Sequence, residues 1–158
     1  MQLTVRKAKL LRASNGIFSK IGTKASPKVT LTFVRSYCLP VLLYGVEAIT
    51  LNTKLINSMD NAYRSLFAKM FGSYDSKVIL NCQYYCGNLP VSYVIDFRKF
   101  EFYKCLINNS NDSVRLLLMR TGACEFDQLS QKFNITSSDS LNKLKFISWS
   151  LFDSIVTS

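Results

Sequence analysis

Apolar residues recur at three- and four-residue steps through most of this chain, and no strand-like alternation of useful length appears. In the run Val29 to Tyr44, VTLTFVRSYCLPVLLY, the residues Val29, Phe33, Tyr37, Val41 and Tyr44 fall on steps of four, four, four and three, marking one face of a helix. Ser26 and Pro27 open it: a serine hydroxyl accepts an orphan amide, and proline suits the first helical position. Pro40 lies inside the pattern, where it removes a backbone donor and crowds the preceding turn, so a kink or a split is expected there. The stretch Val41 to Ile49 is apolar nearly all round, which predicts burial, and this Pro-kinked helix is expected to form the centre of the core. The uncharged run, Ser36 to Val46, is well short of the roughly 20 apolar residues a bilayer requires, so a core helix is expected rather than a membrane span.

The remaining elements follow from the same periodicity. Leu3 to Ile21 reads as a basic helix with Ala8, Leu11, Phe18 and Ile21 available to a core and Asn15-Gly16 as a point of interruption. Asn52-Thr53 offers an N-cap for a helix from Lys54 to Phe71, in which Ile56, Met59, Tyr63, Leu66, Phe67 and Met70 face inward and Asn57, Asp60, Arg64 and Lys69 outward; Gly72 ends it. A boundary is placed at Ser73 to Ser76. Asp75 or Ser76 caps a short helix, Lys77 to Cys86, and Gly87 closes it. Pro90 opens a helix from Val91 to about Ile107, followed by the turn cluster Asn108 to Asp112. Helices over Ser113 to Arg120 and Glu125 to Phe133 come next. A last helix, capped by Ser138 or Asp139, carries Leu141, Leu144, Ile147, Leu151 and Ile155 on one face. The expectation is an all-α bundle of about six to seven helices, with residues 1–72 as one bundle and 73–158 as a helical extension, separate from it or continuous with it.

Charge changes this picture. The net charge of +10 is unevenly placed: residues 1 to 46 hold Arg6, Lys7, Lys9, Arg12, Lys20, Lys24, Lys28 and Arg35 and no acid, while the rest of the chain holds twelve bases and ten acids. A solvated helix face usually mixes both signs. A basic first third without acids points to a polyanion, and nucleic acid fits better than an anionic membrane because the basic stretch lacks a strong opposing apolar face. The basic N-terminus has no secretory h-region, and five cysteines without paired spacing read as reduced thiols, so an intracellular protein, nuclear or cytoplasmic and not secreted, is expected.

Candidate chemistry is sparse. There is no histidine, which removes Ser-His-Asp and Cys-His arrangements. Cys82 and Cys86 stand at i, i+4, and Cys105 and Cys124 complete a set of four thiols, but structural zinc sites use two close pairs, and here there is one; small core residues are the simpler reading. Asp96 and Glu101 straddle a turn, and no carboxylate pair suits two metal ions. No Gly-rich phosphate loop appears. The expectation is no catalytic residue, no metal and no cofactor. Between Phe97 and Lys104, aromatic and basic residues interleave as in strand-binding surfaces, though their helical spacing favours a core role.

The run Arg35-Ser36-Tyr37-Cys38-Leu39-Pro40-Val41-Leu42-Leu43-Tyr44-Gly45-Val46-Glu47 resembles the K-S-Y-x-x-P-x-L-L-Y-G-x-E segment beyond the palm in reverse transcriptases of non-LTR (LINE-type, jockey-like) retrotransposons. Upstream, Gly16-Ile17-Phe18-Ser19-Lys20-Ile21-Gly22 is similar to the basic helix that precedes it in that family. Downstream, Asp60-Asn61-Ala62-Tyr63-Arg64, Cys82-Gln83-Tyr84 and Leu89-Pro90-Val91-Ser92-Tyr93 continue in the same order. The similarity spans roughly residues 5 to 107. It implies the thumb and the segment after it, a helical bundle gripping the template–primer duplex of an RNA-directed DNA polymerase. The aromatic-Ala-Asp-Asp palm motif, the endonuclease and the C-terminal Cys/His cluster of that family are not in this sequence, so no catalysis is expected from this chain alone.

On that reading Arg6, Lys7, Lys9, Arg12, Lys20, Lys24 and Lys28 contact phosphates of RNA, DNA or a hybrid, and Phe33, Tyr37, Pro40, Tyr44 and Glu47 are structural core. If six phosphates are engaged, log K falls against log salt with a slope of about −4 to −5. The missing palm and fingers of a polymerase, or another protein, are further partners to expect. The alternatives are a helical protein-interaction module whose apolar seams await a partner, and a relic reading frame without function.

Overall fold

The computed structural model describes residues 2–21, 25–113, 116 and 122–157, the side chains of 2–7 and 21 excepted. Most of the helix expected from Ser113 to Arg120 falls outside them, as do Lys24 and the side chains of Arg6, Lys7 and Ile21. The described residues are helical with no strand: α1 (Gln2–Ile21), α2 (Pro27–Phe33), a π-turn (Val34–Cys38), α3 (Leu39–Leu43), α4 (Thr53–Phe71), α5 (Ser76–Tyr85), α6 (Val91–Ile107), α7 (Ala123–Phe133) and α8 (Leu141–Thr157). With α2, the π-turn and α3 taken as one rod, there are seven, as the periodicity predicts. Among these residues no helix is long and apolar enough to cross a membrane.

The punctuation residues act where the sequence places them. Ser26 Oγ accepts from the Val29 amide, Asn52 Oδ1 from Leu55 and Asp75 Oδ1 from Lys77, while Gly72 takes the left-handed conformation past α4 (φ 65°). Asn15-Gly16 does not interrupt α1. At the last helix the hydroxyl accepting from the Lys143 amide is that of Ser140, one residue beyond the expected cap; Asp139 instead accepts from the Thr136 amide and the Lys143 ammonium.

Pro40 neither ends the central rod nor opens a gap in it. The turn before it widens to π, with the Leu39 amide reaching back to the Val34 carbonyl, and Pro40 then sits in the first turn of α3, a position that suits proline. The rod stops at Leu43, not Ile49, because Gly45 turns the chain at φ 63°.

Two compact units result, Met1–Gly45 with Leu51–Val91, and Val46–Thr50 with Ser92–Ser158. The boundary expected after residue 72 therefore lies inside the first unit, and it does so for physical reasons. Arg64 of α4 donates to the carbonyl and hydroxyl of Ser76, and the Tyr63 hydroxyl donates to Asn88 Oδ1, so α4 and α5 are tied together across it.

The first unit packs on Tyr63, Leu66 and Phe67 of α4, as expected, and on Leu10, Val34, Cys38 and Leu42. The core face of the central rod is therefore not the expected one. Thr30, Leu31, Val34, Cys38, Leu42 and Leu43 are buried, whereas Phe33 (38% exposed), Tyr37 (61%), Tyr44 (77%) and Pro40 lie at the surface. The packed stripe lacks the aromatic rings of the expected one, and α1, which buries Leu10 and Ser14, packs against this rod. In the second unit Phe100, Tyr103, Leu129, Phe133, Ile135 and Leu144 form the core, so the aromatic run of α6 is packing rather than surface. Its last helix buries Leu144, Ser148 and Phe152, leaving Leu151 and Ile155 exposed.

Candidate nucleic-acid interface

Helical geometry assembles the basic face of α1. Lys9 and Lys20 are eleven residues apart, three turns along one line, and Arg12 lies one turn from Lys9. Leu10 and Ser14 carry the opposite, buried side, and Lys9, Arg12 and Lys20 are exposed. Lys28 is exposed in the first turn of α2, where the helix dipole disfavours a cation and no acid compensates it. Helix stability does not explain its position. Positions 6 and 7 lie within α1.

The division into units sharpens the charge asymmetry. The first unit carries twelve bases and two acids and the second eight of each, so the whole net charge of +10 resides in the first. Both acids of the first unit are engaged by backbone. Asp60 Oδ1 accepts from the Val91 amide at 2.9 Å and Asp75 caps α5. Burial raises the Asp60 pKa against the lowering effect of that amide and of Arg64. Among the described residues the first unit contains no ion pair, and the side chains of Lys9, Arg12, Lys20 and Lys28 have no hydrogen-bond partner.

Three cations of this unit are structural instead. Arg35 donates through Nε to Asn88 Oδ1 (2.8 Å) and through Nη2 to the carbonyls of Cys86 (2.7 Å) and Gly87 (2.8 Å), closing the C-terminal end of α5. Lys69 donates to Asn15 Oδ1 and lies 4.9 Å from the centre of the Phe18 ring. Arg64 holds Ser76. The Arg35 role was hidden in the sequence, because its partners lie more than fifty positions away. Burial pushes the Tyr63 phenol up to about 12, Arg35 opposing it, and raises the Cys38 thiol, so both stay neutral.

In the second unit three lysines are paired with carboxylates, and Lys104 donates to the Asp139 carbonyl. Lys99 binds Glu125, which also accepts from Tyr103 at 2.7 Å; Lys132 reaches Asp96 at 2.6 Å and Lys143 reaches Asp139 at 2.9 Å. Burial raises Glu125, yet the hydrogen bonds from Lys99 and Tyr103 outweigh it and hold the carboxyl below its usual range. Burial dominates at Asp96 and raises it despite Lys132. Glu47, expected in the core, is half-buried on an open cavity of about 420 Å³ lined also by Arg98, Glu101 and Phe102, with Arg98 Nη1 at 4.0 Å.

Among the described residues no group of three or more His, Cys, Asp or Glu side chains converges to hold a metal ion. The five cysteines are free thiols, Cys38 buried and Cys105 and Cys124 exposed. No family model, curated protein or solved structure matches the chain.

Proposed function

We propose that this chain grips the backbone of RNA, DNA or an RNA–DNA hybrid through the basic surface of its first unit, as a non-catalytic, thumb-like piece of a LINE-type RNA-directed DNA polymerase. The observation that carries the reading is the segregation of charge. The unit holds the entire excess of cations, both of its acids are engaged by backbone amides, and Lys9, Arg12, Lys20 and Lys28 are exposed and unpaired among the described residues. Phosphate contacts of this kind confer affinity and orientation without base specificity. The ordered resemblance from Arg35 to Glu47 and onward to Tyr93 supports the polymerase part of the reading, and an intracellular location goes with it.

The test is fluorescence anisotropy of a labelled RNA–DNA hybrid across a salt series. The four described cations alone account for a log–log slope of roughly −3 to −4. A flat response contradicts the reading. Concentration-dependent self-association without affinity for nucleic acid favours the protein-interaction alternative instead.

A further inference from the structure

The outward face of the central rod is left unused by a grip on phosphates. Val29, Phe33, Tyr37, Pro40 and Tyr44 lie exposed along it, with Tyr37 and Tyr44 more than half open to solvent. The rings of Phe33 and Tyr37 are nearly parallel, 22° between planes and 6.1 Å between centroids, on consecutive turns of one helical rod. Core packing does not account for them, because the packed stripe of the same rod runs through Thr30, Val34, Cys38 and Leu42.

Charge decides what covers this face. A second copy would bring the same twelve bases against two engaged acids, so pairing two first units is opposed electrostatically. A ligand that is anionic and also presents flat π-faces suits both the cations and the rings, and that description fits nucleic acid with unpaired bases. In a duplex each base face is covered by its neighbours, whereas in a single strand it is free to stack on an aromatic side chain.

We propose that Phe33 and Tyr37 form a stacking platform for unpaired bases, so that the first unit, which carries the chain's whole excess of cations, takes a single-stranded RNA or DNA segment. This rests on the backbone-gripping reading and adds to it a ligand class and two residues. Tyr37 offers the larger ring surface and should carry the larger share.

The experiment compares a labelled 20-nucleotide oligouridine with an abasic strand of the same length, both titrated with the full chain by anisotropy across a salt series. The variants are Tyr37→Ala, Tyr37→Phe and Phe33→Ala, each checked for unchanged helicity by circular dichroism. Wild type should bind the base-bearing strand at least about fivefold tighter than the abasic one, and Tyr37→Ala should lose roughly five- to a hundredfold for the former only. The salt slope should stay unchanged, because no phosphate contact is removed, and Tyr37→Phe should restore binding. Equal affinity for the two strands with a steep salt slope overturns the platform and leaves the backbone grip standing. Absence of salt-dependent binding to either strand overturns both. Self-association that Tyr37→Ala abolishes, without oligonucleotide binding, assigns the face to a second copy and overturns the proposal.

Discussion

The two units of this chain use lysine and arginine in opposite ways. In the second unit, Lys99, Lys132 and Lys143 sit against carboxylates, Lys104 donates to the Asp139 carbonyl, and the most buried ion pair, Lys99 with Glu125, is anchored further by Tyr103. In the first unit, the structural cations Arg35, Arg64 and Lys69 bind neutral backbone or side-chain oxygens, and Lys9, Arg12, Lys20 and Lys28 extend into solvent. A cation paired at a buried carboxylate stabilises a fold, whereas an exposed cation without a counter-charge raises the local potential and is free to meet an external anion. Net charge alone would miss this. The two units differ by four bases and six acids, and also in what their acids bind.

The comparison breaks most visibly at Lys99. Its replacement by Ala leaves Glu125 with its ion-pair partner gone in a mostly buried place, which should cost about 3 kcal/mol of the second unit's stability. Urea unfolding followed by fluorescence of Trp149, the single tryptophan and a residue of that unit, reads the loss directly.

The next effect concerns the exception in the first unit. Arg35→Ala removes three charge-assisted hydrogen bonds around the end of α5 and should lower that unit's stability by about 2 kcal/mol, measured by far-ultraviolet dichroism in urea. A variant as stable as wild type would mean that the Arg35 clamp contributes no net stability.

Acidification offers a third check. Glu125 ionises below its ordinary value of 4.5 in the folded chain, so its contribution is complete above that range and is lost as pH falls through the depressed folded value. Asp96, raised by burial, acts in the opposite sense, its ionisation being disfavoured by folding. Glu125→Gln should lessen the loss of Trp149-reported stability as pH falls below 4.5, leaving the opposing Asp96 component and the part due to Asp139, which the Thr136 amide and Lys143 also hold low.

The smallest effect on stability belongs to the exposed cations. Lys9→Ala and Lys28→Ala should each shift the unfolding midpoint by no more than about 0.5 kcal/mol, yet each should make the salt slope of nucleic-acid binding shallower by about 0.7 to 0.9. A stability loss comparable to that of the Lys99 variant would erase the distinction between the units.

Much of the fold is readable from the chain itself. The caps at Ser26, Asn52 and Asp75, the left-handed Gly72 and the inward face of α4 all follow from local rules, because each depends on residues within a turn or two. The faces of α1, the central rod and α8 were less legible, and for a shared reason. Their packed stripes run through Ser14, Thr30, Cys38 and Ser148, residues that an apolar periodicity passes over in favour of Leu11, Phe33, Tyr37 and Leu151. Buried hydroxyls are tolerated there because they bond to their own helix: Ser14 donates to the Leu11 carbonyl and Ser148 to that of Leu144, both at 2.9 Å. In the central rod both candidate stripes advance by four residues, a step that the π-turn accommodates, so spacing did not separate them. Of the candidate interface, the concentration of bases near the N-terminus was legible. The engagement of Asp60 and Asp75 by distant or capping amides, and of Arg35 by Cys86 and Gly87, required the folded chain.

The central claim is that location, not total charge, makes the cations of the first unit a nucleic-acid surface. The most direct measurement pairs two variants of equal charge, Lys9→Ala with Lys28→Ala and Lys143→Ala with Lys145→Ala, in salt-series binding to the same labelled RNA–DNA hybrid. The account predicts a slope shallower by roughly 1.4 to 1.8 for the first pair and an unchanged slope for the second. Equal losses in both would show that binding follows net charge alone and would contradict it.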